Sequence, residues 1–286
     1  MVVDEQNFDR AASALAITQS AVSQRIKALE QAIGQPVLVR AQPIVATVIG
    51  KKLLAHYQQV KLLEQDILPD ISANSRQDTI RANIASNADS LATWLISAVG
   101  DVCHQYNLSV NFRLADENRT INYLKGGEVF GAISTHAHAL PGCTLSKLGD
   151  MHYVLVAAPS FVHTYFPDGI HEQALERAPA VAYDQKDDMH IKYIEQTFNL
   201  KGGSYPCHTV RSSEAFVGFA KQGLAYCLIP KLQIQAELDA GELINLMPEK
   251  PITRTLYWHH WVLLKGVFKE FSTAIIVRAQ YALEHQ

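Results

Sequence analysis

At 286 residues the chain is long enough for two or three compact units, each burying its own core. Hydrophobic residues make up 48% and charged residues 19%, which excludes a disordered chain, and no stretch nears the roughly 20 consecutive apolar residues of a membrane helix. The net charge of −3 is unevenly spread: Arg10, Arg25, Lys27, Arg40, Lys51 and Lys52 face only Glu30 over 10–52, so that end suits phosphates and the acidic remainder does not.

Phe8, Ala11, Ala12 and Leu15 recur at helical spacing and predict a short helix, broken at 16–18. Thr18 is placed to cap a second helix over 19–31 that ends near Gly34 and Pro36. Val22, Ile26, Leu29 and Ile33 form one stripe of that helix and can pack on the first. Gln19 stands in its first turn, and Ser20, Ser23, Gln24, Lys27 and Gln31 take the opposite side with Arg25 beside them. Hydroxyls and amides there can bond base edges, and the cations can pair with phosphates. Two short helices around a tight break, the second with such a face, make the helix-turn-helix pattern; by charge alone a solvated helix surface fits equally well.

Farther on, Leu53, Tyr57, Val60, Leu63 and Ile67 form a seam on a longer helix over 50–69, which packs either on its own unit or on a second copy. The polar stretch 70–78 reads as a hinge. After it, short strands alternate with helices, the mark of an α/β unit. Strands are predicted at 80–84, 108–114, 129–134, 153–157, 180–183, 209–211, 225–229 and 255–264. Helices are expected over 91–99 and 215–221.

Three strand-to-helix junctions carry polar residues. Asn87, Asp89 and Ser90 precede Leu91; Ser212, Ser213 and Glu214 open 215–221; Tyr183 and Asp184 lead into Asp187, Asp188, Met189 and His190. Free N–H groups at such junctions suit a carboxylate, and Asp89, Asp184 or Glu214 suits a cation. Equally, Ser and Asp at helix starts are common caps, and Glu214 suits a first turn on dipole grounds alone. His136, His138, His259 and His260 have no Cys or carboxylate at ligand spacing and read as solvated or packed imidazoles, so no metal is expected. Cys103, Cys143, Cys207 and Cys227 form no C-x-x-C and read as buried thiols. With no G-x-S-x-G, HExxH or phosphate-cradling glycine loop, no enzyme and no cofactor are expected. The N-terminus has no export sequence, which places the chain in the cytoplasm and off the membrane.

The run A-A-S-A-L-A-I-T-Q-S-A-V-S-Q-R-I-K-A-L-E-Q-A-I-G-Q-P-V-L-V-R, ending at Arg40, resembles the DNA-binding signature of LysR-type transcription regulators. S-N-A-D-S-L-A-T-W-L from Ser86, D-D-M-H from Asp187, P-C-H from Pro206, S-S-E-A-F-V from Ser212 and L-Y-W-H from Leu256 resemble the ArgP branch, also called IciA or LysG. The resemblance implies an α/β fold class with four parts: a winged helix-turn-helix over 1–49, a linker and dimerisation helix over 50–69, a hinge over 70–79, and a two-lobed, periplasmic-binding-protein-like effector domain over 80–286. Lobe 1 would take 80–149 with 254–286, and lobe 2 would take 150–253. It also implies a homodimer or homotetramer on double-stranded promoter DNA, contact with RNA polymerase, and transport or metabolism genes as targets. The implied effector is L-lysine or L-arginine. Gln19, Ser20, Ser23, Gln24, Arg25, Lys27 and Arg40 would meet DNA, and Asn87, Asp89, Ser90, Leu91, Ser134, Asp184, Ser212, Ser213 and Glu214 would meet the effector. Against the family pattern, about a dozen residues of the first helix are missing and 41–50 is apolar where the wing carries a second cation. The alternative expectation is therefore a sensor-only protein that binds an amino acid and little or no DNA.

Overall fold

A computed structural model describes residues 1–71, 79–184 and 188–284. By its internal contacts the chain divides into two compact units, Met1–Gln77 with Asn122–Phe130, and Asp78–Ile121 with Gly131–Gln286.

In the first unit, α1 (Val2–Glu5) and α2 (Phe8–Ala14) precede the longer α3 (Gln19–Ile33). Asn7 caps α2, its side chain accepting from the amides of Asp9 and Arg10. Thr18 caps α3 by accepting from the Ala21 amide, and α3 stops at Gly34, whose φ of 79° lies in the left-handed region that glycine adopts without a Cβ penalty. Ala11, Ala12, Val22, Val37 and Leu38 are buried together, with Phe8, Ile17, Ile26 and Ile33 packed against them. Leu29, although on the stripe, remains exposed at 42%. A two-stranded wing follows, β1 (Leu38–Val39) antiparallel to β2 (Val45–Ala46). The next helix, α4 (Val48–Ile71), starts two residues before the sequence expectation and runs through Pro69. The expected hinge falls, beyond Ile71, almost wholly outside the described residues.

Local alternation builds the first strands of the second unit. β3 (Ile80–Ser86) and β4 (Leu108–Leu114) pair in parallel along their full lengths. Between them lies one helical rod: α5 (Ala88–Ser90), a π-helical stretch over Leu91–Leu95, and α6 (Ile96–Gln105). After α7 (Ile121–Lys125), β5 (Gly131–Ser134) joins the other side of β3 in parallel. Gly131 lies against the Trp258 indole so closely that a Cβ would fall 2.3 Å from the ring, and only glycine leaves that space.

Two long strands span the unit. β6 (Cys143–Ala157) runs antiparallel to β11 (Ile252–Trp261), from Trp261 opposite Cys143 to Ile252 opposite Tyr153. The register shifts between Leu256 and Tyr257, leaving Leu148 as an extra residue beside Gly149 at φ 144°. On one side of this shift β11 pairs with β5; on the other, β6 carries β9 (Cys227–Pro230) and β10 (Ile244–Asn245). A separate parallel pair, β7 (Ala180–Ala182) with β8 (Cys207–Thr209), meets the residue before β9 through an Ala180–Tyr226 bridge. The pair uses 207–209 rather than the expected 209–211, because the Val210 amide is the last to reach across, to Ala182 O at 3.1 Å.

Helices α8 (Pro159–Tyr165), α9 (Glu172–Leu175), α10 (Asp188–Phe198), α11 (Ser213–Lys221) and α12 (Lys231–Asp239) alternate in the chain with the second group of strands. Phe216 and Ala220 of α11 and Ile234 of α12 pack on Val154, Val156 and Ile229 there. The last helix, α13 (Gly266–Glu284), closes on the first group, where the buried Trp258 indole donates to Ser272 Oγ at 2.8 Å. Among the described residues no helix is long and apolar enough to cross a membrane.

Candidate functional site

β3 delivers Ser86 and Asn87 to the sheet end and β4 delivers Ala115, Asp116 and Glu117 beside them, because the two strands are parallel and in register to their last residues. A cleft opens there, of the kind found outside the carboxyl ends of parallel strands. Asn87, Asp89, Asp116, Glu117 and Arg119 line one side, and Tyr183, Asp184, His190, Ser213 and Phe216 the other. At about 50 Å³ it is too narrow to admit an amino acid without widening.

Its most telling group is Asn87, 3% exposed, whose amide oxygen and nitrogen, like the Ser90 hydroxyl, find no hydrogen-bond partner among the described residues. Ser90 is itself fully buried. Burying such groups without partners costs about 1–3 kcal/mol each, so a molecule that satisfies them recovers that free energy.

Asp89 is committed to the protein. Its Oδ2 accepts from Tyr153 Oη at 2.7 Å and its Oδ1 from Ser213 Oγ at 2.6 Å. Gln233 Oε1 also lies 2.8 Å from Ser213 Oγ, but a hydroxyl has one proton; with Asp89 taking it, the Gln233 amide must turn its nitrogen toward Ser213. Asp184 is held from two sides, by Arg119 at 3.4 Å and Arg211 at 3.6 Å. Burial keeps the Tyr153 phenol protonated well beyond its usual range, and the Asp89 charge adds to that.

Glu117, which the sequence did not single out, is 6% exposed in the cleft wall. Burial pushes its carboxyl up to about 7, the charges of Asp116 and Asp89 push the same way, and Arg254, with Nε 4.0 Å away, pulls only weakly against them. A sequence signal existed in the acidic pair Asp116-Glu117 directly after a clean strand, but nothing in it foretold burial.

Of the other residues named from sequence, Asn87, Asp89, Asp184 and Ser213 come together in the cleft. Ser90, Leu91, Ser134, Ser212 and Glu214 lie outside its lining. Ser134 is buried and accepts from the His136 amide at 3.1 Å. Ser212 caps α11 by accepting from the Ala215 amide and donates to the exposed Glu214 at 2.8 Å. Asp187 lies outside the described residues. His259 is buried, its Nε2 2.7 Å from His136 O, and among the described residues no group of His, Cys, Asp and Glu is placed to hold a metal ion.

In the first unit, Gln19, Ser20, Gln24, Arg25 and Lys27 are exposed on α3 and Ser23 is half-buried. Arg40 is exposed, paired with Glu30 at 3.4 Å, and lies over the Phe8 ring. An apolar groove of about 530 Å³ runs between α3 and α4, with Leu29, Tyr57 and Val60 exposed along it.

A helix-turn-helix with a wing, and a narrow polar cleft at the carboxyl ends of parallel strands in a separate unit, together point to a ligand-responsive DNA-binding protein. Family profiles agree: residues 1–51 match "Bacterial regulatory helix-turn-helix protein, lysR family" and residues 75–260 match "LysR substrate binding domain". The HTH-type transcriptional regulator ArgP of Aeromonas salmonicida is 50% identical over 99% of this chain and 95% of its own. The protein of the same description from Photobacterium profundum is 49% identical over the same shares. Among solved structures, ArgP from Mycobacterium tuberculosis superposes with a TM-score of 0.82 at 32% identity over 97% of this chain and 93% of its own. Full-length LysG from Corynebacterium glutamicum with bound effector Arg gives 0.77 at 32% identity over 97% and 94%. The chain belongs to the LysR family of DNA-binding transcription regulators, among the ArgP-type members.

Proposed function

We propose that this regulator senses a basic amino acid, L-arginine or L-lysine, in the cleft of its second unit and converts occupancy into altered transcription of transport or metabolism genes. The observation that carries the reading is the buried, unpartnered Asn87 amide at the mouth of an acid-rich cleft, with the Ser90 hydroxyl in the same condition behind it. Asn87, Ser90 and adjacent main-chain amides would take the amino acid's carboxylate and ammonium, and the acidic wall at Asp116 and Glu117 would favour a cationic side chain. The Corynebacterium glutamicum relative was solved with Arg as its effector, which points the same way.

The paired long strands support a two-lobed, periplasmic-binding-protein-like sensing domain over 80–286, with lobe 1 at 80–149 plus 254–286 and lobe 2 at 150–253. Asp89–Ser213 and Arg119–Asp184 would then be clasps across the cleft, and ligand entry must exchange them for contacts of its own. Such exchange is how a ligand prefers one lobe arrangement over another, the condition for allostery. At the other end, Gln19, Ser20, Ser23, Gln24, Arg25, Lys27 and Arg40 of the unit over 1–49 would meet promoter DNA, with the helix beyond it as the dimer seam and RNA polymerase as a further partner. The protein acts by binding, without a catalytic step or cofactor.

Titration calorimetry of L-arginine and L-lysine into the full chain tests the sensing role. Saturable binding is expected, weakened at least about tenfold in Asn87→Ala, the size expected for a lost buried hydrogen bond to a charged group. No heat with either amino acid rejects the effector class.

A further inference from the structure

Among the carboxylates that line the cleft, Glu117 is the one buried and held near neutrality by its surroundings. Its neighbours come from several elements. Asp116 and Arg119 lie on its own loop, Asp89 comes from α5, Tyr153 from β6 and Arg254 from β11, while Asp184 and His190 stand on the opposite wall. Asp89 is engaged by two hydroxyls and Asp184 by two arginines, so neither offers a ready charge to an incoming cation. Arg254 Nε, the cation nearest Glu117, is 4.0 Å away and 36% exposed in its side chain.

Resting on the effector reading above, we infer that Glu117 is the anion that selects a cationic side chain in this cleft, and that it releases its proton when that cation binds. The empty cleft holds a buried carboxylic acid, which is the less costly form where desolvation and two neighbouring carboxylates oppose a third negative charge. A guanidinium or ammonium placed against it supplies the missing counter-charge. The proton then leaves to solvent, and a carboxylate–cation pair with charge-assisted hydrogen bonds remains. A neutral side chain gives no such compensation and meets a protonated acid. Discrimination between charged and uncharged ligands therefore depends on one side chain, and affinity for the charged one depends on pH.

The sign follows from linkage. With a proton lost on binding, affinity rises with pH until Glu117 is ionised in the empty cleft as well, then levels off. An acid titrating near 7 when empty and well below 6 when paired gives about a tenfold gain between pH 6 and pH 8.

The test is titration calorimetry of the full chain with L-arginine and with its uncharged isostere L-citrulline at both pH values, in buffers of differing ionisation heat. Expected are the tenfold gain for arginine, release approaching one proton per arginine at the lower pH, and no gain for citrulline. Glu117→Gln should bind arginine equally at both pH values and lose most of its preference for arginine over citrulline, while Glu117→Asp should retain part of the pH slope. Arginine binding without proton release or pH dependence overturns the inference and leaves the effector reading standing. A pH slope that survives in Glu117→Gln overturns it too, and assigns the proton to another group such as His190. Absence of arginine binding altogether overturns both.

Discussion

Asn87 and Glu117 are both polar groups that folding has placed out of water at a cost. For Asn87 the cost is two unmade hydrogen bonds; for Glu117 it is the suppression of its charge. The second has a measurable consequence for stability. The folded carboxyl titrates near 7 against an ordinary 4.5, so between those values the folded state holds a proton that the unfolded state has lost. Stability from this group is complete below about pH 4.5 and is lost as pH rises through about 7. Glu117→Gln removes that loss. In thermal melts at pH 8 the variant should be the more stable form by on the order of 1–3 kcal/mol, the difference vanishing near pH 4.5. Equal melting at both pH values would show that Glu117 is ionised in the folded chain. Asp89 teaches the complementary lesson: offered by the sequence as one of three candidate counter-ions for ligand, it already accepts from Tyr153 and Ser213, 64 and 124 residues away along the chain.

At the scale of elements, α3 was readable almost to the residue. Its cap at Thr18, its stripe at Val22 and Ile26 and its stop at Gly34 are local chemistry, each decided within a few residues of chain. Replacing Thr18 by Ala removes the acceptor for the Ala21 amide and should lower the stability of the first unit by about 1 kcal/mol, seen as an earlier melting step. An unchanged melt would mean that water serves that amide as well. The rod after Asn87 was read as a plain helix over 91–99, whereas Leu91–Leu95 is π-helical, a wider winding often met beside functional sites. Strand β6 was seen only over its apolar end, 153–157. Its first half contains Ser146, Lys147, Gly149 and Asp150, which break the alternation, and it is a strand because β11 pairs with it from Cys143 onward. A sequence pattern records which faces are buried; it does not record a partner strand a hundred residues away.

For the molecule as a whole, the proposed division of tasks between the two units predicts that DNA binding responds to charge on α3 and at Arg40, in the first unit. Lys27 is exposed there, and Lys27→Ala should weaken operator binding across sequences and reduce the slope of log affinity against log salt by about 1, the loss of one phosphate contact. Arginine affinity, measured in the same preparation, should not move. A variant that lost both would mean that the two sites are not separate modules. Of the apolar seam read on α4, Tyr57 and Val60 are exposed along the groove of the first unit, while Leu53 packs against that unit's own core.

By itself the sequence determined what is local or periodic: the helix-turn-helix with its polar face, the alternating opening strands of the second unit, and the polar junctions at Asn87 and Ser212, since caps, stripes and alternation act over one or two turns of chain. Only the tertiary structure decided which of those polar residues line the cleft, which are caps, and that Glu117 is buried. Those properties depend on solvent exclusion, and desolvation is set by everything packed around a group rather than by its neighbours in sequence.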